Sequence, residues 1–162
     1  MNMTLGDPPQ EITAIFDTGS SDLIVPDPRG GFCKKPNSNC EPPTQGGNGA
    51  FDQKKSEDVT DANAVLETSF ANGETDSGNF IKAPAGVGAA ALEDFQFGLI
   101  KQGRPGPESP QASLRPVLGV GPMSAETEST KPYPNLPAHM QQTGATKSRV
   151  VSVYTNDFRK LT

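Results

Sequence analysis

The sequence contains no tryptophan, one histidine and two cysteines among 162 residues. His139 lies far along the chain from Cys33 and Cys40, so a tetrahedral zinc site would lack ligands. Basic charge is also short: 14 Lys and Arg stand against 19 Asp and Glu, a formal net charge of −5. No basic patch is available to neutralise phosphates, which argues against a nucleic-acid partner. An acidic surface also suits a protein that works in acid. No apolar stretch approaches the ~20 residues needed to span a bilayer. The opening MNMTLGDPP has neither the charged start nor the apolar core of a signal peptide. Only 33% of the residues are hydrophobic, yet the length is enough for one domain with a real core. The 17 glycines and 16 prolines make about a fifth of the chain, which predicts long loops and few helices.

The most informative segment is residues 12–26, ITAIFDTGSSDLIVP. Ile12, Ala14, Ile15 and Phe16 read as a largely buried strand, and Leu23, Ile24 and Val25 as another. Between them lies an Asp-Thr-Gly turn. By itself that tripeptide is an ordinary turn. Between apolar strands, however, the Asp17 carboxylate is costly unless it is hydrogen-bonded or protonated. Thr18, Gly19, Ser20 and Ser21 offer hydroxyls and backbone N–H groups that can satisfy it. Such a carboxylate can activate water, normally as one of a pair.

The segment FDTGSSDLIVP resembles the first active-site motif of pepsin-like aspartic proteases. The preceding TLGDPPQEITAI resembles the family's Gly-x-Pro-x-Gln approach to a strand. Ile24 departs from the family's usual Trp. The resemblance implies an all-β fold: a pepsin-like half-barrel, one N-terminal lobe spanning residues 1–162, with one short helix. It assigns Asp17 as a catalytic carboxylate, with Thr18, Gly19 and Ser20 supporting its turn, Thr18 from below. Cys33 and Cys40 suit a small closed loop, although two free thiols are also compatible with the residues. The family often has a small disulfide loop here, which implies a Cys33–Cys40 bridge and an oxidising, secreted location.

Further along, residues 46–49 read as a flexible polar stretch. Residues 51–59 resemble a surface turn of the family. Val65, Leu66, Ser69 and Phe70 lead into Ala71-Asn72-Gly73, and Asn-Gly is the strongest short hairpin signal. Gly78, Phe80 and Ile81 continue on the far side. The resemblance makes this hairpin the flap over the substrate, with Phe70 where the family has a Tyr. Phe keeps an aromatic wall and loses the hydroxyl. Asp76-Ser77-Gly78 is not a second catalytic motif: no apolar strand precedes it, and it follows Asp17 too closely for a second lobe. Asp76 is expected as a solvated loop residue. Leu92, Phe95 and Phe97 bring back large apolar side chains, residues 101–116 read as a loop, and residues 117–121 as a buried strand. The resemblance makes residues 94–99 a strand ending in Phe-Gly and sets residues 117–121 close to the Asp17 strand. Leu136, Met140 and Gly144 mark a short amphipathic helix ended by glycine, with His139 on its exposed side and no context for serine-protease chemistry. Val150, Val151, Val153 and Tyr154 read as a strand. The stretch from Tyr133 onward resembles yapsin- and candidapepsin-type enzymes.

In the family two carboxylates share a proton, because like charges that close cannot both ionise easily. The ionised one takes a proton from the attacking water, and the other protonates the scissile carbonyl oxygen. The resemblance implies no metal or cofactor, an extended polypeptide as substrate and activity in acid. It leaves the second carboxylate outside these residues, in a C-terminal lobe or a second copy of the chain. The family's signal peptide and propeptide are likewise outside, and an uncovered face between lobes predicts poor solubility. An inactive lobe or a peptide-binding module is the alternative to an active endopeptidase.

Overall fold

Adjacent large apolar residues in the middle of the chain require strands that are covered on both faces. Side chains alternate along a strand, so Phe80 and Ile81, or Leu99 and Ile100, must point to opposite sides. The computed structural model, which describes residues 1–36, 38–107, 115–127 and 131–154, resolves this with one eight-stranded sheet. Its strands are β1 (Asn2–Leu5), β2 (Gln10–Thr13), β3 (Ile15–Asp17), β4 (Leu23–Pro26), β5 (Thr60–Ser69), β6 (Thr75–Val87), β7 (Ala90–Arg104) and β8 (Val117–Gly119). They are ordered β2-β1-β6-β7-β4-β8-β3, with β5 paired to β6 off this path. A single α-helix, α1 (Leu136–Gln142), is present among the described residues. The chain is therefore all-β, consistent with a pepsin-like half-barrel lobe.

Two apolar clusters cover the two faces. One contains Val25, Phe51, Ile81, Phe95, Phe97, Leu99 and Leu118, with Leu136 of α1. The other contains Ile24, Phe32, Leu66, Phe80, Ile100 and Tyr133. Ile24, at the family's Trp position, is thus a core residue of the second face. Phe51 and Phe97 meet edge to face, with ring centroids 5.2 Å apart, a favoured aromatic geometry.

β5 and β6 form the expected hairpin, closing at Ser69↔Thr75. Its turn is fixed by Gly73 N donating to Phe70 O at 2.9 Å and Phe70 N to Glu74 O at 2.9 Å. Gly73 has φ +80°, a conformation that glycine reaches without steric cost. Cys33 and Cys40 are disulfide-bonded, with Cα atoms 5.5 Å apart.

Several expectations are corrected. The strand expected across residues 12–16 is split at Ala14, and Ile15 is 46% exposed. Residues 46–49 are pinned: Asn48 N donates to Asn39 O and Gly49 N to Glu41 O, each at 2.8 Å. Residues 101–104 belong to β7 rather than to a loop; residues 108–114 lie outside the described residues. His139 is half-buried, its ring against Phe95 with centroids 5.6 Å apart, because α1 packs on β7. Residues 150–154 are not a strand; Val150 is 83% exposed, and no strand pairs with them among the described residues. β-branched composition alone cannot make a strand without a neighbour.

Phe97→Ala should lower stability by about 3–5 kcal/mol, the usual cost of emptying a buried aromatic site. Val150→Ala should change it by less than ~0.5 kcal/mol, as exposed substitutions do. Urea denaturation of the two variants at one pH checks both values.

Candidate active site

A carboxylate at a strand end is held only if the turn beyond it is held. β3 runs parallel to β8, with Asp17 opposite Gly119. Asp17 O accepts from Val120 N at 2.9 Å, Asp22 O from Gly119 N at 2.9 Å, and Ser20 O from Gly121 N at 2.8 Å. Ser21 Oγ donates to Pro122 O at 2.7 Å. Residues 119–122 thus accept the whole turn as a backbone cradle. The approach needs glycine: a Cβ on Gly119 would lie 2.4 Å from Ser21 N and 2.6 Å from Asp22 N.

The Asp17 side chain is half-buried. Its Oδ1 accepts from Gly19 N at 2.9 Å, and its Oδ2 from Ser20 Oγ at 2.5 Å. Both oxygens are therefore oriented by the turn itself. Gly19 and Ser20 thus each donate one bond to the carboxylate. Thr18 differs: it is exposed, and its hydroxyl makes no hydrogen bond among the described residues. The turn is supported from below by Ser21 and the backbone of residues 119–121 instead.

A second polar layer, absent from the sequence reading, lies behind the turn. Asp22 is only 5% exposed. Its Oδ2 accepts from Thr127 N and Thr127 Oγ1, both at 2.8 Å, and its Oδ1 accepts from the Tyr133 hydroxyl. Burial, reinforced by Asp22, pushes the Tyr133 hydroxyl well up, so it remains a donor. Glu126, also 5% exposed, accepts from Tyr133 N at 3.0 Å, while its Oε1 is unpartnered among the described residues. Burial pushes the Glu126 carboxyl up to about 7, with Asp22 adding to the effect and the Tyr133 N–H opposing it. Asn135 caps α1 and also donates to Gly121 O at 2.8 Å. The one readable signal was Asp22 itself, an acid fused to the buried run Leu23-Ile24-Val25. Its partners are more than 100 residues away.

The hairpin forms one wall beside this site. A groove of about 350 Å³ is lined by Phe70, Asn72, Glu74 and Asp76 of the hairpin, by Arg115, and by Ile15 and Val117. Ile15 and Val117 are paired across β3 and β8, two residues before Asp17. Exposure of Ile15 thus follows from its position in a groove. Asp76 is not a solvated loop residue. It lies within β6, opposite Thr68 and Gly103, and is 3% exposed. The polar residues around it gave no apolar periodicity from which burial could be read.

A family model described as eukaryotic aspartyl protease matches residues 1–162, and the chain belongs to that family. The probable aspartic-type endopeptidase OPSB of Arthroderma benhamiae is 35% identical over 160 residues, covering 96% of this chain and 30% of the relative. Candidapepsin-4 of Candida albicans is 28% identical over 166 residues, covering 96% of this chain and 35% of the relative. The chain thus spans about a third of the length of these curated relatives. The family is that of aspartic endopeptidases. No described helix is long and apolar enough to cross a membrane.

Gly119→Ala forces a methyl group into backbone atoms and should cost at least the ~1–3 kcal/mol of ordinary overpacking. Thermal denaturation beside an Ala variant of exposed Gly31, whose added Cβ meets nothing within 4 Å, checks this. A second expectation concerns pH. The folded chain keeps a proton on Glu126 up to about 7, whereas the unfolded chain releases it near 4–4.5. The native state then binds more protons in that interval, so stability should fall as pH rises from about 4 to about 7. Glu126→Gln should flatten that fall, measured by urea midpoints across the interval.

Proposed function

We propose that Asp17 is one of the two carboxylates of an acid-acting endopeptidase site, with residues 1–162 forming its N-terminal lobe. The observation that carries this reading is the double hydrogen bonding of the Asp17 carboxylate at a strand end beside a groove. In the reaction, ionised Asp17 or its partner takes a proton from water as that water's oxygen attacks the scissile carbonyl carbon. The protonated member donates to the carbonyl oxygen. The carboxyl that took the water's proton then gives it to the nitrogen, and the C–N bond breaks as the other carboxylate takes back a proton from the tetrahedral diol, releasing the amine and the acid. The pair titrates jointly, so activity belongs to acid pH.

Phe70, Ala71, Asn72 and Gly73 act as the flap, with Phe70 supplying an apolar wall and no hydroxyl. The substrate is a polypeptide in extended conformation. The second carboxylate comes from a C-terminal lobe or from a second copy across a two-fold axis. The exposed tip at Thr18 and Gly19 and the exposed Val150, Val151, Val153 and Tyr154 suit contact with such a partner. A relative named secreted aspartic protease 4 and the Cys33–Cys40 bridge support an extracellular or cell-surface location.

The test is cleavage of an unfolded protein at acid pH by the purified chain, alone and joined to a C-terminal lobe of a relative, beside Asp17→Ala. Asp17→Ala should reduce cleavage by at least the ~10²–10⁴-fold that a general acid–base group contributes. Activity of the chain alone that rises with its concentration assigns the second carboxylate to a second copy. No Asp17-dependent cleavage in either form would leave a peptide-binding lobe.

A further inference from the structure

Asp76 is a buried acid for which the mechanism above has no use. Its Oδ1 has no hydrogen-bond partner among the described residues. A buried carboxyl oxygen without a partner is costly, so its persistence calls for a reason. Three features meet at this residue. It lines the groove beside Ile15 and Val117, and it also lines a second cavity of about 670 Å³ bordered by Phe32, Lys35, Glu67 and Arg104. It is the one residue common to the two linings. The β6–β7 ladder also slips by one residue between Ser77 and Gly78, one residue beyond it, and such a bulge locally weakens pairing.

We propose that Asp76 is a positioning residue for the Phe70 turn, holding the neck of that turn closed while its carboxyl is protonated and opening it when the proton leaves to solvent. This rests on the reading of the hairpin as the flap beside Asp17. The neutral carboxyl is tolerated between the two cavities. The ionised one must draw in water or a cation, and the bulge is where the ladder yields. The charged groups around it are mixed: Glu74 in the turn, Glu67 on β5, Arg104 on β7, Lys35 after β4, and Arg115 before β8. Burial, with Glu74 adding, pushes the Asp76 carboxyl up to about 7. The neck of the turn is therefore closed in acid and loosens toward neutral pH.

Because the chain has no tryptophan, Phe70→Trp installs a single tryptophan in the turn, excited apart from the two tyrosines. Emission is followed from pH 4 to 9 in F70W, in F70W with Asp76→Asn, and in F70W with Glu126→Gln. The expected result is a red shift with a midpoint near 7 in the first and third proteins and its loss in the second. A shift that persists with Asp76→Asn, or no shift in F70W, overturns the proposal. If the Asp76→Asn chain does not fold, carbon-13 NMR of the Asp76 carboxyl in F70W decides. Titration coincident with the emission midpoint supports the assignment, and titration near 4 overturns it. Emission requires no proteolysis, so this outcome is separate from whether Asp17 is catalytic.

Discussion

Everything around Asp17 depends on the seating of its turn on residues 119–122. A tight turn between two buried strands carries several backbone N–H and C=O groups away from water, and each must be paired. Here the cradle donates Gly119 N, Val120 N and Gly121 N to Asp22 O, Asp17 O and Ser20 O. That pattern requires the two backbones to touch, which is why a glycine stands at position 119. With the backbone settled elsewhere, Gly19 N and Ser20 Oγ are left to the carboxylate. The orientation of the acid is a by-product of how the turn is supported.

The cradle is held in turn by the segment that follows it. Asn135 ties Gly121 O to the start of α1. Asp22 gathers Thr127 and Tyr133, and Tyr133 packs against Phe80 with ring centroids 5.6 Å apart. The second apolar face is therefore closed by a residue whose hydroxyl serves the turn. Packing and polar support share one side chain, so a change at Tyr133 acts on both. Glu126 Oε1, unpartnered among the described residues, is the weakest point of this layer.

What could be read in the sequence was local. The Asp17 turn, the Asn72-Gly73 hairpin, the short helix and the buried strand at Leu118 each rest on neighbours within a few residues. The family resemblance added the pairing of Cys33 with Cys40. What could not be read depends on partners distant in the chain. Ile15 is apolar and looks buried, but β3 places it toward a groove. Thr18 looks like turn support, yet Ser21 and the backbone of residues 119–121 do that work. Asp22 required Thr127 and Tyr133, more than 100 positions away. Residues 150–154 have the composition of a strand and lack a neighbour among the described residues.

Asp76 and Glu126 show one physical term acting at two places in the fold. Each is a buried acid with an oxygen that is unpartnered among the described residues, and burial is the main cause that lifts both carboxyls to about 7. A buried carboxyl costs much less when neutral than when ionised, so each is tolerable in acid and a liability near neutrality. One lies behind the Asp17 turn and the other just behind the hairpin turn. Both turns therefore rest on acids that are at ease only where protons are plentiful.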